Sequence, residues 1–356
     1  MPLNVTLVAA AASLSIIFFT ILLYYANGDR IDYVGRSMFT TNIGLAINYA
    51  AWLGIGVSIG RGFDENFNGM RRAFTFSWAL LSLFFLSQID WSAGGISFKS
   101  DASDKKSMYL LFADFYAVSA LILMGLCRTA RATILISIAS AIILFFLSSR
   151  ASLFFFVLTT IAYGAIARSA GVKVSLVIAL LVSAAILPSI DISRFGATER
   201  MTVFFERGLQ ADASFIGRMR LLSNGVVEIL NNPLTGAYNS LVDQNNNVTS
   251  YIHNILSYWQ LYGFFVFALM TLLLIYLPAI FIKRNLTGQR VSDLEPSVRA
   301  TCLISIFVLL QVITARAYVW HFSWLLIGIM CTMRSNGVRA RLSTSRRDQQ
   351  PLREPS

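Results

Sequence analysis

The chain has 356 residues, 56% of them hydrophobic and only 13% charged, with a mean hydropathy of +0.64. A soluble domain carries roughly 25% charged residues, so a water-soluble globular fold is excluded and lipid is the expected solvent. The formal charge of +11 does not point to nucleic acid, because it concentrates at the borders of apolar runs and in a tail holding Arg334, Arg339, Arg341, Arg346, Arg347 and Arg353, as cytoplasmic anchors beside anionic lipid do.

Near-continuous apolar runs predict an all-α, polytopic integral membrane protein of about ten transmembrane helices. The spans are expected over residues 5–25, 43–60, 74–89, 109–127, 132–147, 152–167, 174–190, 255–282, 300–314 and 319–333. Barrel strands would alternate apolar and polar residues instead. The first run is longer than a signal-peptide core and lacks a basic start, so it is read as a retained helix. With the basic tail inside, alternation places Arg61, Arg71, Arg72, Arg128, Arg131, Arg168, Lys173, Lys283, Arg284, Arg290 and Arg299 on the cytoplasmic side, in agreement with the positive-inside rule. Four regions follow: seven helices over 1–190, an outer loop with an amphipathic helix over 191–254, three helices over 255–333, and the basic tail over 334–356. Both termini are then cytoplasmic. Cys127, Cys302 and Cys331 fall in or at the ends of spans, so neither a disulfide nor a metal site is expected of them.

In the first outer loop Asp29 and Asp32 flank Arg30. Paired carboxylates in this place are a feature of dolichyl-phosphate-type glycosyltransferases, and a solvated membrane border is the other reading. The stretch Asp32-Tyr33-Val34-Gly35-Arg36-Ser37 is faintly similar to the start of sodium-solute symporters, but the match ends there. Asp90 and Asp114 lie near outer helix ends, where a transporter would need polar groups at mid-membrane.

Further along, Ser148-Ser149-Arg150-Ala151 forms a four-residue outer turn in which the positive-inside bias disfavours an arginine. A guanidinium at this depth suits the oxygens of a lipid-linked diphosphate; snorkelling to headgroups is the alternative. The long loop adds Arg194, Arg200, Arg207, Arg218 and Arg220, and the last outer turn adds Arg316. Several of these together would hold a diphosphate and stabilise the charge that grows on it as a leaving group. Arg200 and Arg207 also have Glu199 and Glu206 as neighbours to pair with. Ser214 is expected to cap a surface helix over 215–230, with Phe215, Met219, Leu222, Val226 and Ile229 at helical spacing, stopped by Asn231, Asn232 and Pro233. Residues 236–250, rich in asparagine, suit a loop or lid. His253 stands where the chain re-enters the membrane, placed to accept a proton from a sugar hydroxyl or to orient it. Membership of an aromatic belt with Tyr251, Tyr258 and Trp259 is the other reading, and the same belt accounts for His321 beside Trp320 and Trp324.

The stretch Tyr251-Ile252-His253-Asn254-Ile255-Leu256, followed by Gly263, resembles the histidine-asparagine signature of the bacterial O-antigen polymerase and ligase family, which holds Wzy-type polymerases and lipid A-core ligases. Pro233-Leu234-Thr235-Gly236 is similar to the Pro-x-x-Gly ahead of that signature, and Ser149-Arg150 resembles the family's serine-arginine step. Arg218 matches its loop arginine. The resemblance covers residues 148–263, less than half the chain. About ten spans where the family usually has twelve or more, and an asparagine-rich insert before His253, depart from the pattern.

The resemblance implies a metal-independent, inverting glycosyltransferase of the bacterial inner membrane that needs no cofactor. A glycan would leave undecaprenyl diphosphate on the periplasmic face and join an acceptor hydroxyl, in O-antigen (lipopolysaccharide) or exopolysaccharide synthesis. His253 and Asn254 would be the catalytic residues, and Arg150, Arg218, Arg220, Arg194 and Arg316 would bind the diphosphate. Membrane lipid, chain-length regulators and flippases are the implied partners, and nucleic acid is not. No long ligase-type extension follows Gly263, which favours polymerase over ligase. A lipid-linked oligosaccharide flippase or another transporter is the remaining class.

Overall fold

The computed structural model describes residues 3–26, 32–33, 36–90, 95–96, 105–127, 129–147, 149–166, 213–238, 251–286 and 294–333. The span expected over 174–190, Arg194, Arg200, Arg207, Asp29, the asparagine-rich stretch from 239 to 250 and the basic tail lie outside them.

The described chain is helical apart from two two-residue ladders. Its helices are α1 (Leu3–Ala26), α2 (Met38–Glu65), α3 (Phe67–Ser87), α4 (Lys105–Leu126), α5 (Ala130–Phe146), α6 (Arg150–Ile166), α7 (Ala213–Asn231), α8 (Leu256–Thr271), α9 (Leu277–Leu286), α10 (Pro296–Thr314) and α11 (Phe322–Thr332), with a π-helical turn, Leu272–Tyr276, joining α8 to α9. Between α1 and α2, β1 (Asp32–Tyr33) and β2 (Arg36–Ser37) pair antiparallel, so the described residues of the symporter-like stretch form a two-residue ladder. β3 (Ile89–Asp90) and β4 (Gly95–Ile96) pair in the same way between α3 and α4.

Four helical stretches are long and apolar enough to cross a membrane: Thr6–Ala26, Phe39–Glu65, Leu256–Leu286 and Pro296–Thr314. Segments of α4, α5, α6 and α11 are shorter apolar helices. Large apolar side chains face outward on nearly every one of these helices, among them Val8, Phe19, Ile47, Phe76, Leu83, Leu135 and Phe154. Water would penalise such a surface heavily and lipid does not. The protein is therefore a membrane-embedded helical bundle.

α10 is its centre. It is 72% buried, against 22 to 33% for the other three candidate spans, and packs on α4, α6, α9 and α11. α11 in turn lies along α2, with Gly56 and Gly328 meeting backbone to backbone. Lipid gives two apolar helices no solvent-driven reason to associate, so close van der Waals approach at small residues carries this contact.

Two features differ from expectation. α7 begins at Ala213, so Ser214 lies in its first turn and not ahead of it. Its packed side follows the predicted stripe only in part: Ile229 is buried together with Gly225, whereas Phe215, Met219 and Val226 are exposed. The sequence of α7 is apolar on two sides, and periodicity alone does not say which one meets the protein. Secondly, α8 is broken within the predicted span. Gly263 has φ 79° and ψ −178°, a region of backbone space essentially restricted to glycine, and the chain turns there from a buried helical segment into a lipid-facing one.

Candidate functional site

Asp114 lies within α4, 2% exposed, in the apolar interior. A carboxylate there is tolerable only with charge and hydrogen-bond partners, and the structure supplies three. Arg316 Nη2 donates to Oδ1 at 2.8 Å, Ser152 Oγ donates to Oδ1 at 2.6 Å, and Trp320 Nε1 donates to Oδ2 at 2.8 Å. Ser149 Oγ lies 2.7 Å from Ser152 Oγ, and Arg316 Nη2 also reaches Ser152 Oγ at 3.3 Å. The network ties α4, the start of α6 and the turn between α10 and α11 together at one end of the bundle. Arg316 is itself 9% exposed, and its Nε–H has no hydrogen-bond partner among the described residues.

The same turn receives the histidine segment. Ser257 Oγ accepts from the Tyr318 amide at 2.8 Å and donates to the Asn254 carbonyl at 2.7 Å, while the Ile255 amide donates to the Val312 carbonyl at 2.9 Å. Tyr251 meets Tyr318 edge-on at 5.4 Å and His253 at 5.0 Å between ring centroids. Asn254 Oδ1 accepts from the Leu256 amide at 2.9 Å. This caps the first turn of α8 and leaves the amide nitrogen as the part of the side chain able to orient another group.

His253 is half-buried in the turn ahead of α8. Its imidazole is pushed down to about 4, first by burial and then by the positive charges of Arg218 and Arg316. It is neutral near pH 7, with a lone pair free to accept a hydrogen bond. The same two guanidiniums act on the Tyr251 hydroxyl, whose pKa is raised by burial above all.

Thus Arg218, Arg316 and His253, three residues singled out in the sequence, converge from separate regions. Arg150 opens α6 two residues before Ser152, half-buried at the edge of the buried network. Arg220 is exposed, which separates it from Arg218. The belt reading of the second histidine fails. Trp320 and Trp324 are buried inside the bundle, His321 stacks on Trp52 at 5.5 Å, and its Nδ1 is 3.4 Å from Asn48 Nδ2. Tyr258 is likewise buried. An apolar pocket of about 320 Å³ is lined by Trp52, Ile55, Phe115, Val118, Phe322 and Leu325, of which Trp52 stacks on His321.

The sequence sets Asp114 aside for its nearness to an outer helix end and His321 as part of an aromatic belt, and it does not single out Ser152. A signal existed for Asp114, because an ionisable residue inside a span is by default a functional candidate. Nothing local in the sequence marked the serine.

The two glycine signals of the sequence prove to be one structural unit. The Gly236 α-carbon lies against the backbone of Leu261 and Gly263, and Gly263 lies against the Leu234 carbonyl, so a methyl group on either would strike main chain. The Phe264 amide donates to the Pro233 carbonyl at 3.1 Å, as does Trp259 Nε1 at 2.8 Å. The Pro-x-x-Gly turn and the break in α8 interlock and fix the exit of the histidine segment. No family model, curated protein or solved structure matches the chain.

Proposed function

We propose that the protein polymerises undecaprenyl-diphosphate-linked oligosaccharide repeat units on the periplasmic face of a bacterial inner membrane, through about ten spans with both termini in the cytoplasm. The observation that carries this reading is the convergence of Arg218 and Arg316 on a neutral, half-buried His253 at one end of an apolar bundle. Two guanidiniums suit the diphosphate leaving group, and a neutral imidazole suits an acceptor hydroxyl. The apolar lining of the pocket beside Trp52 and Phe322 suits a hydrocarbon chain.

In this scheme the bond from the anomeric carbon to the diphosphate oxygen breaks, and its electron pair leaves on the diphosphate. The acceptor hydroxyl oxygen attacks the anomeric carbon from the opposite face and inverts it. As that bond forms the hydroxyl proton becomes strongly acidic, so a weak base is sufficient, and His253 takes the proton and releases it to water or to the departing diphosphate. Arg218 and Arg316 stabilise the charge on the leaving group, with Arg150 at the edge of the same network. Asp114 holds Arg316 in place, and Asn254 shapes the turn that presents His253. A ligase would use the same site and differ in its acceptor.

Two observations favour a second reading as a transporter or flippase: the buried Asp114–Arg316 ion pair and the broken α8. Transport proteins use both devices. Vesicles containing the purified protein, supplied with lipid-linked repeats, separate the classes. Polymerisation gives longer glycans on fewer lipids, whereas transport moves unchanged repeats across the bilayer.

A further inference from the structure

The side chain of Gln260 is fully buried and used at both ends. Its Oε1 accepts from the Ile252 amide at 2.8 Å, and its Nε2 donates to Glu228 Oε2 at 2.6 Å. The orientation of the carboxamide is fixed by its partners, because a backbone amide only donates and a carboxylate only accepts. Ile252 immediately precedes His253, and Glu228 belongs to α7. One side chain therefore joins the histidine turn to the surface helix.

The contact also sets the rotation of α7. Gly225 lies against Ile252 and the Gln260 carboxamide, with no room for a β-carbon. Arg218 is two helical turns before Gly225 and shares its face, whereas Arg220 is about 200° further round the helix. With Glu228 held by Gln260, Arg218 is turned towards His253 and Arg220 towards the exterior. Among the described residues, the charged or titratable groups that face His253 are Arg218 from α7, Arg316 from the turn between α10 and α11, and Tyr251 from its own segment.

We infer that Gln260 and Glu228 are positioning residues that lock the angle of α7, so that Arg218 and His253 are presented to the substrate together. The inference rests on the polymerase reading for its functional consequence and on geometry alone for the lock.

The chain holds two histidines, so selective nitrogen-15 labelling gives two pairs of imidazole signals, assigned by comparison with His321→Gln. The full-length protein in detergent or nanodiscs is titrated, and the His253 midpoint is measured in five forms. Arg218→Ala is expected to raise the midpoint, because a positive charge is removed. Glu228→Leu, a change at a half-buried helix position, is expected to raise it as well, because α7 turns Arg218 away. Arg218→Ala added to Glu228→Leu is then expected to move it no further. The exchange Glu228→Gln with Gln260→Glu keeps the bond donated by the Ile252 amide, reverses the one between the two side chains, and is expected to bring the midpoint back towards the wild-type value. A wild-type midpoint in Glu228→Leu, or an undiminished shift when Arg218→Ala is added to it, overturns the lock. In glycan synthesis Glu228→Leu should lower kcat by about 10²-fold, with recovery in the exchanged pair; failure to recover while the midpoint is restored also overturns the positioning role. Polymerisation that persists in His253→Ala would instead sink the polymerase reading and leave the titration result standing.

Discussion

At the scale of the residue, His253 and Asp114 illustrate opposite treatments of a polar group next to lipid. His253 is kept neutral by burial and by two arginines, so between pH 6.5 and about 4 the unfolded chain takes up a proton there that the native protein refuses. Its contribution to stability is therefore full above pH 6.5 and is lost progressively as the pH falls towards 4. The acid limb of the wild-type pH–rate profile that belongs to this imidazole is expected near pH 4; a limb at 6.5 would contradict this. Asp114, by contrast, is paired with Arg316. Asp114→Ala strands the Arg316 guanidinium in the interior and should destabilise the protein by ~3–5 kcal/mol. Replacing both members, Asp114→Leu with Arg316→Met, should recover most of that loss in thermal unfolding. Position and charge made His253, Arg218 and Arg316 legible in the sequence, because an arginine or histidine at an outer membrane border asks for an explanation. Asp114 was discounted there for its nearness to a helix end, since its partner is 202 residues away in the chain and no local pattern announces such a pairing.

At the scale of the element, apolar run length located the helices well. α1 to α6, α10 and α11 overlap the predicted spans, because in lipid only a closed set of backbone hydrogen bonds is affordable and the helix satisfies them within one segment. The break in α8 was not legible, although Gly263 had been noted. What marks a break is a positive φ together with a main-chain neighbour, here the Leu234 carbonyl, and neither is written in the local composition. Gly263→Ala places a β-carbon against that carbonyl in a conformation restricted to glycine. It should cost ~1–3 kcal/mol or more, read as a lower unfolding temperature of the detergent-solubilised protein, and should release the Pro233 turn to proteolysis. An unchanged unfolding temperature would show that the interlock does not hold the histidine segment. α7 was predicted as a helix, but its packed side emerged only from Gly225 and the Glu228–Gln260 contact.

At the scale of the whole molecule, the bundle is organised round α10, whose ends serve different purposes. Its first turn docks on α4, where Arg299 Nη2 donates to the Cys127 carbonyl at 2.9 Å. Its last turn leads into the loop that carries Arg316, Tyr318 and His321. The residues that meet at that loop come from α4, α6, α7 and the turn before α8, so the site exists only when the bundle is assembled. This is why composition and hydropathy revealed the class of protein while the site appeared as scattered arginines and a histidine. The most direct test of the account is synthesis by the purified protein in lipid, supplied with undecaprenyl-diphosphate-linked repeat units and no other protein. A ladder of glycans several repeats long is expected from the wild type, and only single repeats from His253→Ala and from Arg218→Ala, both folded. A wild-type protein that lengthens nothing, or a His253→Ala protein that produces the full ladder, would contradict it.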